Sequence, residues 1–399
     1  MKKQGMIVAG VMSGTSADGI NVALVRVDDG HGTSSTSSDS LSTFQLLGHA
    51  EYSYPKKVRA AVLAAMNASR ASVADLARLN FLLGELYADA VLASERQFRV
   101  KAALVGCHGQ TLYHQGAMQR FLGRRIAATW QTGEGAIVAA RVGAPVVSDF
   151  RPSDLAAGGK GAPLVPFLDY LLFRDKHMGR IVQNIGGIAN LTMIPAGGCM
   201  GDVVAFDTGP GNMVIDAVSE QLFGHPFDRG GRIAASGKIL DKVIRHILRR
   251  KFFRTLPPKT AGREEFGNEF VRDFLRRCGR CRKQDVVATA TALTARSISD
   301  AVRRYAVQNS RPAPKPAFHE MILSGGGTKN STLITMLANE LAPLGMRLRF
   351  SDEFGLPAVA KEAVAFALLA YETWHRRPSS IASATGAKRV AVLGKISYP

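Results

Sequence analysis

The stretch Gly10-Val-Met-Ser-Gly-Thr-Ser-Ala-Asp-Gly-Ile20 lies between the apolar run Met6–Ala9 and the run Asn21-Val-Ala-Leu-Val-Arg-Val27. Short apolar runs bounded by small residues read as strands, so this is strand, turn, strand. The turn is longer and richer in hydroxyls than the roughly two to five residues that a hairpin needs. Gly, Ser and Thr let backbone N–H groups close on an anion, and the hydroxyls add donors. A lone carboxylate beside phosphates, here Asp18, commonly serves Mg²⁺ directly or through water. No Gly-Lys-Ser/Thr follows, so this is not a Walker A loop. The expectation is a nucleotide-phosphate loop, with an ordinary hairpin turn as the alternative.

The chain has 399 residues, which suggests two domains. Hydrophobic residues make up 46% and charged residues 21%, the balance of a soluble globular enzyme. Cys107, Cys199, Cys278 and Cys281 form no disulfide framework, which suits a reducing cytoplasm. The single CxxC at 278–281 lacks the second pair that a structural zinc site wants. No apolar run reaches the roughly 18–20 residues of a membrane span. Met1–Met12 resembles a signal peptide only faintly, because its apolar part is short and runs into the glycine turn. The net charge is +19. Its basic residues are dispersed with no aromatic platform between them, which disfavours nucleic acid and favours a basic surface that attracts anionic substrates.

The pattern predicts strands over 6–27 and 44–54, helices over 56–67 and 73–99, and a buried strand at 102–107. A strand at 126–130, a helix at 134–142 and a strand at 145–148 follow. A Ser-rich insertion occupies 28–43. The second half repeats the rhythm: strands at 181–185, 191–194 and 203–206, a helix at 213–222, helices at 238–251, 268–278 and 285–306, and strands at 321–323 and 347–351. A helix over 358–375 and a last strand at 390–393 close the chain. Two α/β lobes with a ligand at strand ends between them are expected, although the halves share too few identities to claim a repeat.

Asp207-Thr-Gly-Pro-Gly-Asn212 leaves a strand and opens a helix, whose N-terminus attracts phosphate through free N–H groups. Asp207 would repel that phosphate, so it is expected to face a proton to be removed. Asn212 is the expected helix cap. Ser324-Gly-Gly-Gly327 offers a flat surface for a base or ribose. Lys160, in Gly158-Gly-Lys-Gly-Ala-Pro163, could meet a phosphate or a sugar, or lie in a mobile connector. Asp149 ends a strand, and Glu362 lies in an otherwise apolar helix, where a ligand or buried partner is plausible. A Cys107–His108 nucleophile pair is disfavoured because adjacent strand side chains face opposite ways.

Together these motifs resemble the anhydro-N-acetylmuramic acid kinases, of the actin, sugar-kinase and heat-shock-chaperone superfamily. The matching stretches are 12–19, His108-Gly-Gln-Thr111, Asp149-Phe-Arg151, 158–166, Asn184-Ile-Gly-Gly-Ile-Ala-Asn190, Phe206–Asn212, Phe227-Asp-Arg-Gly230, 234–237, Pro258-Lys-Thr-Ala-Gly-Arg263, Gly325–Gly327 and Lys361–Phe366. The resemblance implies an α/β fold of two RNase H-like (actin-like ATPase) lobes with an interlobe active-site cleft. It places one lobe at 1–147, with the tail 385–399 able to join it, and the other at 148–384. It implies an ATP- and Mg²⁺-dependent kinase that opens the 1,6-anhydro ring of anhydro-N-acetylmuramic acid with water and phosphorylates O6, in the cytoplasm and as a homodimer.

By the same resemblance Asp207 is the catalytic base. Ser13, Gly14, Thr15, Ser16, Asp18, Gly19, Gly209, Gly211, Asn212, Gly325, Gly326 and Gly327 bind ATP. Asp18 serves the metal, and Asp149, Arg151 and Glu362 bind the sugar. Asn21, Lys160 and Pro152-Ser153 depart from the family pattern. A kinase for another amino sugar and a non-catalytic ATP-gated binding protein are the alternatives.

Overall fold

The computed structural model describes residues 5–14, 16–29, 42–307 and 318–399. By compactness the chain divides into a first unit, Met1–Leu171 with Val359–Pro399, and a second, Leu172–Ala358.

The first unit is built on β1 (Met6–Ser13), β2 (Gly19–Asp28), β3 (Thr43–Ser53), β4 (Leu104–Phe121), β5 (Arg124–Thr132) and β6 (Val146–Ser148), with the late strand β12 (Lys395–Ser397). The strand order is β12-β6-β4-β1-β2-β3, and β5 pairs with β4. β1, β2 and β3 form an antiparallel meander, whereas β4 runs parallel to β1 and β6 parallel to β4. The second unit has β7 (Arg180–Ile185), β8 (Ile188–Ile194), β9 (Val204–Pro210), β10 (Glu320–Ser324) and β11 (Arg347–Phe350), in the order β11-β10-β7-β8-β9. Here too the first three strands are an antiparallel meander and the next two are parallel additions. The five-strand path β3-β2-β1-β4-β6 of the first sheet matches β9-β8-β7-β10-β11 of the second in order and strand senses, while β5 and β12 are additions to the first sheet alone. The expected pair of α/β lobes is present, and the repeat invisible in the letters is plain in the topology.

Helices complete each core. Val73–Phe98 starts at Ser72, whose side chain accepts from Asp75 N–H, and ends on left-handed Arg99. It buries Leu79, Leu83, Tyr87 and Val91, an i, i+4 stripe, while Leu82 faces solvent. In the second unit Lys283–Val302 is buried along nearly its whole length, so its hydroxyls need partners. Thr289 and Thr291 bond back to the carbonyls four residues earlier, and Thr294 donates to Gly211 O at 3.0 Å.

The Lys361–Trp374 helix packs on the first sheet through two glycines. Gly10 of β1 and Gly106 of β4 are register partners. A Cβ on Gly10 would lie 1.8 Å from Ala363 O, and one on Gly106 would lie 2.2 Å from Phe366 O. Side chains are absent at both positions because helix backbone occupies the space. Lys361, at the first turn, forms a buried ion pair with Asp169 at 2.7 Å.

Three expected elements differ. β4 does not end at Cys107 but continues to Phe121, because its polar outer half pairs with β5. The helix expected over 238–251 is two, Asp241–Ile247 and Lys251–Arg254. The last strand is Lys395–Ser397 rather than 390–393, and it forms by antiparallel backbone pairing with β6. Most of the Ser-rich insertion, residues 30–41, lies outside the described residues.

Candidate active-site residues

The first group lies on the β1–β2 turn. Ser13 is buried, and its hydroxyl lies 2.7 Å from Gln110 Oε1 and 3.0 Å from Gly19 O, with either of which its proton can bond. It accepts from Tyr54 OH at 2.9 Å, and Tyr54 in turn meets Tyr87 OH at 3.1 Å. Gln110 also donates to Gly14 O. The Ser13 side chain therefore shapes the turn from beneath. The turn closes by Ala17 N–H to Gly14 O, with Ala17 in the left-handed region. Asp18 projects outward, its carboxylate taken by Arg59 at 3.0 Å. Gly19 is required by packing, because a Cβ there would lie 2.2 Å from Tyr52 O. Gly14 and Ser16 belong to the same turn, and Thr15 lies outside the described residues.

The second group is held by β4. Between Val11–Cys107 and Ser13–Gln110 the β1–β4 register shifts, with Gly109 at φ +77°. Such a bulge re-aims its flanking side chains. Gln110 turns to Ser13, and buried His108 turns to Arg151. His108 Nδ1 lies 2.7 Å from Gly109 O, and Arg151 Nε donates to Nε2 at 3.0 Å. This network assigns the neutral tautomer with the proton on Nδ1. Burial, reinforced by the Arg151 charge, holds the His108 pKa well below its usual value.

Arg151 also donates to Gly161 O at 2.7 Å. Its pKa falls to about 10 through burial, opposed by Glu362 and Asp154. Glu362 is a solvent-accessible residue, yet the protein atoms packed around its carboxyl desolvate it and raise its pKa, while Arg151 and Lys361 pull it down. Asp149 stands at a left-handed φ of 52° and pairs with Lys395 at 3.1 Å. Non-glycine residues in that region concentrate at functional sites.

Asp154 and His114 carry no motif signal that sets them apart, yet both belong to this group. Asp154 is fully buried and accepts from Gly161 N–H and Thr385 Oγ1, both at 2.7 Å. Together with Lys160 N–H to Thr385 O, these bonds tie down the 158–161 glycine segment, which is no mobile connector. His114 lies beside Gly161, and its pKa is pushed down to about 4 by burial and then by Arg151.

The third group is in the second unit. Asp207 on β9 accepts from Ala261 N–H at Oδ2, 2.6 Å away, and its own N–H donates to Lys259 O at 3.0 Å. The helix Asn212–Phe223 is capped by Gly211 rather than Asn212. Its first amides are already used: Gly211 and Met213 N–H bond to Gly187 O, and Asn212 N–H bonds to Gly186 O. The free N–H groups expected at this helix start are therefore held by the β7–β8 turn. A Cβ on Gly211 would lie 2.2 Å from Gly186 O, so this capping needs glycine.

Gly209 sits against Ser297 and Phe253. Gly325 and Gly327 fit tightly against Asn184 and Ile185, while Gly326 faces the Asn212 side-chain amide. The loops at 186–187, 209–212 and 325–327 thus meet at one end of the second sheet. A cavity of about 460 Å³ lies beside this helix, lined by Met213, Arg263, Phe266, Asn268 and Phe270 among others. That volume suits a small ligand.

Two α/β sheets of one core strand order with glycine turns at their strand ends, and in the second unit a carboxylate held beside those turns, are features that suit an α/β kinase. The family model described as anhydro-N-acetylmuramic acid kinase matches residues 6–399. Curated proteins of that name from a strain of Bacillus cereus and from Bacillus thuringiensis subsp. konkukian are each 41% identical over 397 residues. Each match covers 99% of this chain and 100% of the relative. The chain belongs to the anhydro-N-acetylmuramic acid kinase family. Among solved structures, a ROK family glucokinase from Streptomyces griseus in complex with glucose and AMPPNP matches at 12% identity and a TM-score of 0.38. That match covers 92% of this chain and 99% of the other, a likeness too loose to carry weight.

Proposed function

We propose that this chain uses ATP to phosphorylate O6 of anhydro-N-acetylmuramic acid while water opens the 1,6-anhydro ring, giving N-acetylmuramic acid 6-phosphate in peptidoglycan recycling. The observation that carries this reading is the clamped carboxylate of Asp207 in a chain 41% identical over its length to curated kinases of that name. Asp207 takes a proton from water, whose oxygen bonds to C1. The C1–O6 bond breaks, and O6 takes the γ-phosphoryl group as ADP leaves. General-base assistance of this kind contributes about 10²–10⁴-fold.

Ser13, Gly14, Thr15, Ser16, Asp18 and Gly19 are proposed around the ATP phosphates, as are Gly209, Gly211 and Asn212. Because the backbone amides of 211–213 are already bonded, Asn212 is proposed to act through its side-chain amide. Gly325, Gly326 and Gly327 lie under the nucleoside, and Asp149, Arg151 and Glu362 hold the sugar. Mg²⁺ keeps several waters and is bound through few carboxylates plus substrate phosphates. A single exposed Asp18 fits that habit, and no cluster of three metal-binding side chains occurs among the described residues. The ion would neutralise charge on the transferring phosphoryl group. We place the protein in the cytoplasm as a homodimer. Among the described residues no helix is long and apolar enough to cross a membrane.

Asp207→Asn tests the reading. ATP affinity is expected to persist, with turnover falling by about 10²–10⁴-fold. In ¹⁸O-labelled water the wild-type product should carry label at its C1 hydroxyl when assayed before mutarotation exchange. Unlabelled product, or a variant of normal turnover, would refute it.

A further inference from the structure

Lys259 is 5% exposed, and nothing in the mechanism above uses it. It lies in the 258–262 segment, which is neither helix nor strand, so no ladder of backbone bonds fixes the segment's place. Two bonds from this segment nevertheless reach Asp207. The carbonyl of Lys259 accepts from Asp207 N–H, and two residues on, Ala261 N–H donates to the carboxylate. Between those bonds the side chain of Lys259 runs inward. Its ammonium donates to Phe252 O at 3.1 Å and stands 4.7 Å from the Phe252 ring centre and 5.7 Å from that of Phe206. Phe206 is the residue before Asp207, and Phe252 packs edge-on against Phe266, so the anchor is rigid.

We infer that Lys259 is a positioning residue for Asp207: its buried ammonium pins the 258–262 segment so that Ala261 N–H meets the carboxylate and holds its angle. This rests on Asp207 being the base. A buried ammonium is costly unless bonded and compensated. Around it stand Asp300 from the Lys283–Val302 helix, Arg304 from the π-helical turn that follows it, and Asp207 from β9. Burial first, then Arg304, lowers the Lys259 pKa to about 8, with Asp300 and Asp207 opposing. Its charge is therefore present at neutral pH and lost as the medium turns alkaline. Loss of that charge weakens the attraction to the two ring faces and to Asp207.

The test compares Lys259→Met and Lys259→Arg with wild type, in the full chain, for kcat, both Michaelis constants, melting temperature and the pH profile of kcat. Misplacing a catalytic group by about 1 Å costs about 10²-fold, so Lys259→Met should lose about that in kcat with both Michaelis constants unmoved. The Arg variant should recover part of the rate. Wild-type kcat should fall above pH about 8, and that limb should be missing in Lys259→Met. In an Asp207→Asn background the Met substitution should cost nothing further. A normal kcat in Lys259→Met, an equal loss in the Asp207→Asn background, or an effect on Michaelis constants alone would overturn the inference. If Lys259→Met does not fold, Ala261→Pro removes the donor while leaving the ammonium, and an undiminished kcat there would overturn it equally. Turnover surviving Asp207→Asn by itself would instead sink the base assignment, so the two failures are distinct.

Discussion

Substituting Gly10 with alanine probes how the sheet places Glu362. The added Cβ would sit 1.8 Å from Ala363 O and 2.8 Å from Ala367 N. Real Cβ atoms do not approach heavy atoms closer than 3.0 Å, so 3.0 − 1.8 = 1.2 Å of movement is the minimum. Neither partner can swing aside, because one atom belongs to β1 and the other to helix backbone. The Lys361–Trp374 helix must lift or tilt away from the strand, and Glu362 and the buried Lys361–Asp169 pair travel with it. Overpacking of this kind costs about 1–3 kcal/mol, and the backbone clash favours the upper end. For a unit of this size about 2–3 kcal/mol corresponds to a melting point lower by roughly 4–12 °C.

A displacement near 1 Å also costs about 10²-fold in rate if Glu362 orients the sugar. Thermal melting and steady-state kinetics on both substrates provide the assay. The sugar Michaelis constant or kcat should suffer, while the ATP Michaelis constant changes less. A Gly10→Ala protein with unchanged melting point and kinetics would refute the claim that these glycines set the helix position.

Two further outcomes follow from the site. His108 titrates lower folded than unfolded, so the unfolded chain binds more protons as pH falls below about 6.5, and stability is lost in that direction by up to about 1.4 kcal/mol per pH unit. Melting points from pH 7.5 to 5 should show this slope, to which His114 adds in the same direction, and His108→Asn should reduce it without abolishing it; equal slopes would remove His108 as a source. Asp18→Ala breaks only an exposed ion pair, so stability should change by no more than about 1 kcal/mol while the Mg²⁺ dependence of ATP use weakens. A mutant with wild-type Mg²⁺ dependence would count against the assigned role.

The strands around the first glycine turn, the Val73–Phe98 helix and the loop at 207–212 could all be read from period and composition. Their signals are local: an apolar run, an i, i+4 stripe, a glycine pair before a helix. The roles within those motifs were less legible. Ser13 reads as a phosphate donor, but its hydroxyl is engaged by Gln110, Gly19 and Tyr54. The amides at the start of the Asn212–Phe223 helix read as free, but the carbonyls of Gly186 and Gly187 occupy them. Lys259 and Ala261 lie in a stretch recognisable as a motif, yet nothing in its letters says it closes on Asp207. Asp154 and Thr385 are 231 residues apart and meet only in the folded chain.

By itself the sequence determined the element types, the small-residue turns and the chemical groups available, because propensity and periodicity act over a few residues. The tertiary structure alone decided that both sheets share one five-strand core order, that Gly10 and Gly106 clear a bed for the Glu362 helix, and which amides and carboxylates are already bonded. Those outcomes depend on register and close packing between segments far apart in the chain, where fractions of an ångström select the partner and the residue letters carry no distance.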